Sequence, residues 1–409
     1  MAEQLSFSEI EQAVAGDAAA FRCRRQLQPA GGEGDKVFPP TFAGAVYAIE
    51  QRRVPGREEP VTCVLLDSVQ SQANRMELAL QGAVDAGRIT LPLVAVDFSE
   101  HDPTGDVEAD LEAERLIEAV GAITSLQAPH RLADAILRDS ELDGQPFRHS
   151  EIGRALNTVS LANATPLFEL CPTALLFGMW DSTGPKGGLG PKFERAVVSE
   201  IVGIGAEYHD DYRARGVRRD PLEISRNVPV VRNDDKSLRK VADGKEKGAV
   251  RPSEINHSSV RFESANSGVT IGHAEQVTTL SLIGLRRLRF PVNGAVDEEA
   301  DQAARAVLAA LGLCAATLAF ESGVGLRSRS LLWPDGPMVW ELLERPGQPP
   351  RVFELTGEQA VALLKDAVAA ARDAGLSWRE EPVSLQPSAA LLELVRRSQN
   401  LARQEGAQE

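Results

Sequence analysis

Two hydrophobic periods alternate along this chain, and the alternation limits the folds open to it more than any other feature. "VTCVLL" (61–66) reads as a buried strand, and "QANRMELALQGAVDAG" (72–87) as a helix stopped by Gly87. "LPLVAVDF" (91–98) reads as a second strand, the acidic stretch Glu100 to Glu118 as partly helical, and "PHRLADAILRDS" (129–140) as a short helix opened by proline. "TALLFGMW" (173–180) predicts a central strand that leads through a glycine-rich loop into a helix from about Phe193 to Gly203. "GVTIGHAEQVTTLSL" (268–282) returns to strand character. It is followed by a helix over 298–312, a strand through "CAATLAF" (314–320), a strand near "PMVWELL", a helix over 357–374, and a polar tail after Leu401 that is expected to fray. No internal repeat is visible. Strands interleaved with helices and long inserts point to α/β or α+β rather than a bundle or a sandwich.

The chain has 409 residues, enough for one large or two ordinary domains. Its net charge of −15 argues against a protein that coats nucleic acid with its whole surface, but leaves room for a local basic groove. Such a local excess exists. Between Arg213 and Arg251 twelve basic residues stand against six acidic ones, with few residues able to enter a core, so the segment reads as a basic excursion from the globular body. Cys23, Cys63, Cys171 and Cys314 lie far apart without a CxxC pair, which reads as buried free thiols rather than a zinc knuckle or disulfide framework. The opening "MAEQLSFSEIEQ" is acidic without an apolar signal core, and the longest apolar run, Ala306 to Phe320, is too short to span a bilayer. A soluble, cytoplasmic protein is expected.

"DSTGPKGGLGPKFERAVVSEIVG" (181–203) has the look of a phosphate loop, but it fails the nucleotidase pattern GxxxxGK[ST]. Pro191, without an amide donor, follows Gly190, and Phe193 stands where a magnesium-binding hydroxyl is needed. A glycine-rich turn before a helix start, with Lys186, Lys192 and Arg195, still suits a phosphate of a nucleic-acid backbone. The plainer alternative is a tight turn with solvated lysines. "LLDSVQSQANRMELAL" (65–80) gathers Gln70, Ser71, Asn74 and Arg75 at a helix start, where helix capping is one role and contact with ribose or phosphate another. "FRCRRQLQP" (21–29) places Arg22 and Arg24 on one strand face and Cys23 and Arg25 on the other. With "LRRLRFP" (285–291) and the excursion, it makes three basic patches, which together favour a groove for a polyanion.

Hydrolase patterns are weak. His101-Asp102 and His209-Asp210-Asp211 resemble the pair of metal-dependent phosphohydrolases but lack further ligands at helical spacing. Nothing in the spacing groups Asp67, Asp134, Asp139 and Asp181 around a metal, and neither HExxH nor GxSxG occurs. No catalytic residue, metal or cofactor is expected.

"GDKVFPPTF" (34–42), "LLDSVQSQANRMELAL", "ITSLQAPHRLADAILRDS" (123–140), "FELCPTALLFGMWDSTGPKGGLGPKFERAVVSEIVG" (168–203), "RPSEINHSSV" (251–260) and "LRRLRFP" together resemble the backbone subunit of type I-G (formerly I-U) CRISPR Cascade complexes, of the RAMP superfamily. The resemblance implies an α+β fold with an RRM-like (ferredoxin-like) palm and long inserts forming thumb and fingers. Its parts would be a lead-in (1–17), the first part of the palm (18–204) with a finger-like insert at about 98–165, the basic excursion with the thumb (205–275), the second part of the palm with C-terminal helices (276–400), and a tail (401–409). It implies a non-catalytic subunit, several copies of which polymerise along the crRNA spacer and present its bases to target DNA. Partners would be crRNA, target DNA through the crRNA, other copies of itself, the Cascade large subunit and the crRNA end-capping subunits, with no membrane. RNA contacts carried over are Gln70, Ser71, Asn74, Arg75, Ser182, Thr183, Lys186, Lys192 and Arg195, with Arg22, Arg24 and Arg131 as weaker ones. Val269 and Ile271 are the candidate thumb wedge between bases, and the acidic 100–118 segment a candidate dock for the next copy. Two alternatives stay open: a metal-dependent RNase that cuts crRNA or target RNA with a lone Asp67 or Asp181, and a nucleotide-binding enzyme built on the 184–192 loop.

Overall fold

The structure is a computed structural model that describes residues 3–42, 46–184, 187–207, 228–232, 238–240, 247–251 and 268–408. Its architecture is α+β, built on a large sheet with helices packed on one face. Neighbours across that sheet run Glu3–Gln4, Arg351–Glu354, Val339–Leu343, Ala20–Pro29, His273–Ser281, Val197–Ile204, Val61–Asp67 and Ile49–Arg52. All pairs are antiparallel except the first. A hairpin, Val324–Arg327 with Ser330–Pro334, joins the far end of the 20–29 strand.

Alternation sets the two faces. In His273–Ser281 every second residue from Ala274 to Leu280 is buried, and in Ala20–Pro29 Phe21, Cys23, Arg25 and Leu27 point inward. Arg22 and Arg24 stand on the open face, as the sequence spacing predicts, and there each meets a carboxylate: Arg22 meets Glu341 at 2.7 Å, and Arg24 meets Glu275 at 3.1 Å.

The inner face is covered by Val69–Asp85 and by Glu298–Phe320, a helix capped by Asp297 and buried along most of its length. Phe7–Ala15 and Gly357–Asp373 pack against that core helix in turn. Arg25, itself buried, donates from Nη1 to the carbonyl of Phe320 at 2.6 Å, placing a cation at the negative end of the helix. Burial pushes the thiols of Cys23 and Cys314 up to about 12, and all four cysteines are free and buried.

A second, smaller sheet is ordered Ala122–Thr124, Val94–Asp97, Val383–Pro387, Ser140–Leu142 and Gln145–Pro146. Phe168, edge-on to both Phe290 and Trp378, belongs to the one hydrophobic core that the two sheets share.

Five local expectations are corrected. "TALLF" is a helix, Thr173–Phe177, followed by the two-residue strand Met179–Trp180. The segment expected to be a helix after the glycine-rich loop is the strand Val197–Ile204, where β-branched residues and burial of Val197, Ser199 and Ile201 follow a period of two. "CAATLAF" continues the core helix to Phe320, because an alanine-rich segment without a breaker has no reason to leave it. The 129–140 helix divides into a 3-10 turn, Arg131–Ala133, and the helix Ala135–Arg138, whose N-cap is Asp134. The tail after Leu401 lies within the helix Ala389–Gln408.

At Gly312 the core helix comes close to the sheet: a Cβ there would sit 3.1 Å from Val197 and 3.2 Å from Leu280. Gly312→Leu is expected to cost about 1–3 kcal/mol by overpacking. It should appear in urea unfolding as a lower midpoint at unchanged slope; an unchanged midpoint would show that the helix and sheet do not meet there.

Candidate nucleic-acid interface

Met179–Trp180 pairs antiparallel with Lys192–Phe193, and the amide of Asp181 extends the ladder by donating to the carbonyl of Pro191 at 3.0 Å. The glycine-rich stretch is therefore the loop of a β-hairpin, with no helix start behind it. Met179 and Phe193 face inward, and Trp180 and Lys192 face outward as a directly opposed pair. Trp180 is 54% exposed, and the Lys192 ammonium lies 5.6 Å from its ring centre. Two constraints hold the hairpin base. Asp181, buried, pairs with buried Arg148 at 2.7 Å, and a Cβ on Gly184 would lie 2.4 Å from the Asp181 carboxylate. Gly178 turns the chain into the hairpin at φ +83°, where a Cβ would also crowd the carbonyl of Phe193 at 3.1 Å.

The first turns of Val69–Asp85 come up beside this hairpin. Ser68 caps the helix by accepting from the amide of Ser71, leaving Gln70 and Asn74 exposed. Gln70 donates to Asn74 at 3.0 Å and accepts from Arg195. Between helix start, hairpin and the 129–131 turn lies a cleft of about 970 Å³. Gln70, Asn74, Arg131, Ser182, Lys192 and Arg195, from three separate stretches of sequence, all line it. Trp180, His130 and Val198 line it as well, and these three were not singled out from the sequence. The available signal for Trp180 was an aromatic residue flanking a glycine-rich loop with lysines, which the phosphate-loop pattern overshadowed.

Other candidates lie elsewhere or are already engaged. Arg131 is buried at φ +53°. It grips Glu77 with two bonds of 2.7 and 2.8 Å, donates to the carbonyl of Gly178 at 3.0 Å and stacks on Phe177, so it holds the cleft wall together. Burial pushes the Glu77 carboxyl above its ordinary value, against the pull of Arg131. Arg75 turns away from the cleft to Asp67 and to the carbonyls of Gly325 and Leu326. Ser71 is half-buried behind the helix start, and Thr183 is exposed on the hairpin loop. Lys186 and most of the basic excursion, His209-Asp210-Asp211 included, lie outside the described residues.

The wedge assignment is corrected. Val269 and Ile271 are 2% and 4% exposed within the core, and Val269 bridges to Val37 on paired backbone bonds of 2.9 Å, so neither side chain is available to separate bases. Asp67 is buried between Gln72 and Arg75, and among the described residues no group of three or more His, Cys, Asp or Glu is arranged to hold a metal.

Glu77→Gln leaves a buried guanidinium without its counter-charge. It should destabilise the protein by about 3–5 kcal/mol in chemical denaturation; a loss below the error of the measurement would show that the pair carries no weight.

A family model described as CRISPR-associated protein GSU0053 (Cas_GSU0053) matches residues 21–208. No curated protein matches the chain. The matched stretch runs from the 20–29 strand to just past Val197–Ile204 and contains every residue that lines the cleft, and it supports a CRISPR-associated protein.

Proposed function

We propose that this chain is the crRNA-binding backbone subunit of a type I-G CRISPR interference complex, that it oligomerises along the spacer, and that it is not itself a nuclease. One observation carries the proposal: the cleft gathers amide, hydroxyl and cationic side chains from distant stretches of sequence around an exposed aromatic ring. Single-stranded nucleic acid is held in this way, by cations that track the backbone and by rings on which bases stack. Lys192 and Arg195 form no ion pair among the described residues, Lys192 lying near the Trp180 ring and Arg195 donating to the neutral amide of Gln70, and in this reading both cations meet phosphate.

The strand order supports an RRM-like palm. From Ala20–Pro29 the chain passes through the helix Val69–Asp85 to Val197–Ile204, next to His273–Ser281, and through the core helix to Val339–Leu343. In the sheet these strands stand in the order 339–343, 20–29, 273–281, 197–204. That is a β-α-β-β-α-β path with the first strand central, and the 49–67 hairpin is an addition at the edge. The non-catalytic part of the proposal is supported by the two candidate aspartates: Asp67 and Asp181 are both buried and each is paired with arginine. Recognition of target DNA through the crRNA, contacts with the large and end-capping subunits, and cytoplasmic residence follow from the same proposal.

The test is to purify the protein from cells that carry its own CRISPR array and to sequence the RNA that accompanies it. Spacer-length crRNA protected in regular steps is expected, and an RNA-free monomer would overturn the proposal. Lys192→Ala and Arg195→Ala should each weaken RNA binding and flatten the dependence of log K on log salt by about 0.7 per lost phosphate contact, with little sequence preference. A change in sequence preference at constant salt slope would remove these residues from the phosphate path.

A further inference from the structure

We infer that Trp180 is a stacking platform for one unpaired nucleobase of the bound RNA, with Lys192 beside the ring and Arg195 across the cleft meeting the adjoining phosphates. The inference rests on the proposal that the chain binds single-stranded RNA. A large aromatic side chain normally buries its ring, yet Trp180 leaves 54% of its surface in solvent at the rim of a polar cleft. Nor is it loose. It stands in a strand pair opposite Lys192, behind it Met179 and Phe193 are packed inside, and the turn that delivers it is tied by Arg131 to Glu77.

Such a ring offers a π-face without a sequence preference, as a subunit that must carry any spacer requires. The neighbouring Gln70 and Asn74 present hydrogen-bonding groups of both kinds, which can meet a ribose hydroxyl or a base edge. Glu194, the acidic residue of the rim, is directed to Arg287 at 2.9 Å rather than left facing the bound strand.

The experiment titrates the full chain with a short oligouridylate, with the same sugar-phosphate strand lacking its bases, and with oligodeoxythymidylate, following tryptophan emission and affinity at several salt concentrations. Oligouridylate should quench the emission, and Trp180→Phe should abolish most of that quenching while keeping near wild-type affinity. Trp180→Ala should weaken oligouridylate roughly 5- to 150-fold at an unchanged salt slope, and should leave the already weak binding of the abasic strand as it is. Thermal melts of both variants should match wild type, since the side chain lies outside the core.

Oligouridylate binding unaffected by Trp180→Ala, or equal weakening on the abasic strand, would overturn the stacking role. If the Lys192 and Arg195 variants still lost affinity, the RNA-binding proposal would survive that result. Tighter binding of oligodeoxythymidylate than of oligouridylate would overturn RNA as the occupant. Failure of the wild-type chain to bind any single strand would overturn both.

Discussion

A buried amide, Gln72, holds the helix start against the sheet, and the cleft depends on it. Its Nε2 donates to Asp67 at 2.6 Å, while its Oε1 accepts from Ser199 at 2.8 Å and from Gln276 at 2.9 Å. Ser199 in turn meets Thr278 at 2.8 Å, and Arg75 closes the group on Asp67 at 2.9 Å. Three strands and one helix are thereby joined through groups removed from water. An unmade bond in such a place costs about 1–3 kcal/mol, so the network admits one seating of the helix and penalises neighbouring ones. That seating points Gln70 and Asn74, on either side of Gln72 in sequence, toward the hairpin rather than into the core.

Charge is sorted by the same packing. Arg22 and Arg24 face carboxylates on the open face of the sheet, in half-exposed pairs worth only about 0–1 kcal/mol each. They neutralise that face without adding much stability. Arg75, Arg131 and Arg148 are held by buried acids and by backbone carbonyls. Among the described residues Lys192 and Arg195 form no ion pair, Lys192 lying near the Trp180 ring and Arg195 donating to Gln70, and they make a small cationic locus on a protein of net charge −15. An acidic exterior with a few free cations at one groove disfavours indiscriminate coating by polyanions and favours a single threaded strand.

Much of the sheet was legible because its strands carry β-branched runs with a clear inward period, as in "VTCVLL" and "HAEQVTTLS". The helix Val69–Asp85 announced itself through Ser68 and the spacing of Ala73, Met76 and Leu80. The stretch around the site was harder. "TALLF" and "AVVSEIVG" are short apolar runs of a kind that periodicity alone does not assign, and tertiary packing made the first a helix and the second a strand. This inverted the expected strand, loop and helix into helix, hairpin and strand. The residue types at the cleft were visible in sequence. What sequence could not separate was Lys192, which forms no ion pair among the described residues, from Arg75 and Arg131, which are paired with acids, because that depends on partners as distant as Gly325. Val269 is buried where it pairs with Val37, a contact across more than two hundred residues, and Ile271 where it packs over Gly203 of the sheet.

The glycines of 181–190 acquire a different meaning in this arrangement. In a nucleotide-binding loop they let amides converge on a phosphate at a helix terminus, whereas here the chain leaves the loop into a strand and no helix dipole is aimed at it. Gly184 instead gives room to the buried Asp181 carboxylate, and Gly178 supplies the left-handed turn. Left-handed backbone at Arg131 costs of order 1–3 kcal/mol, and it persists because the guanidinium it positions joins Glu77 of the helix to the Gly178 carbonyl of the hairpin. Strain taken up in folding leaves the cleft walls set before any ligand arrives, so a bound strand need not bear the cost of ordering them. A repeating subunit gains from that economy at every copy, which is why the tied base of this hairpin, more than the number of its positive charges, is the property on which the proposed function turns.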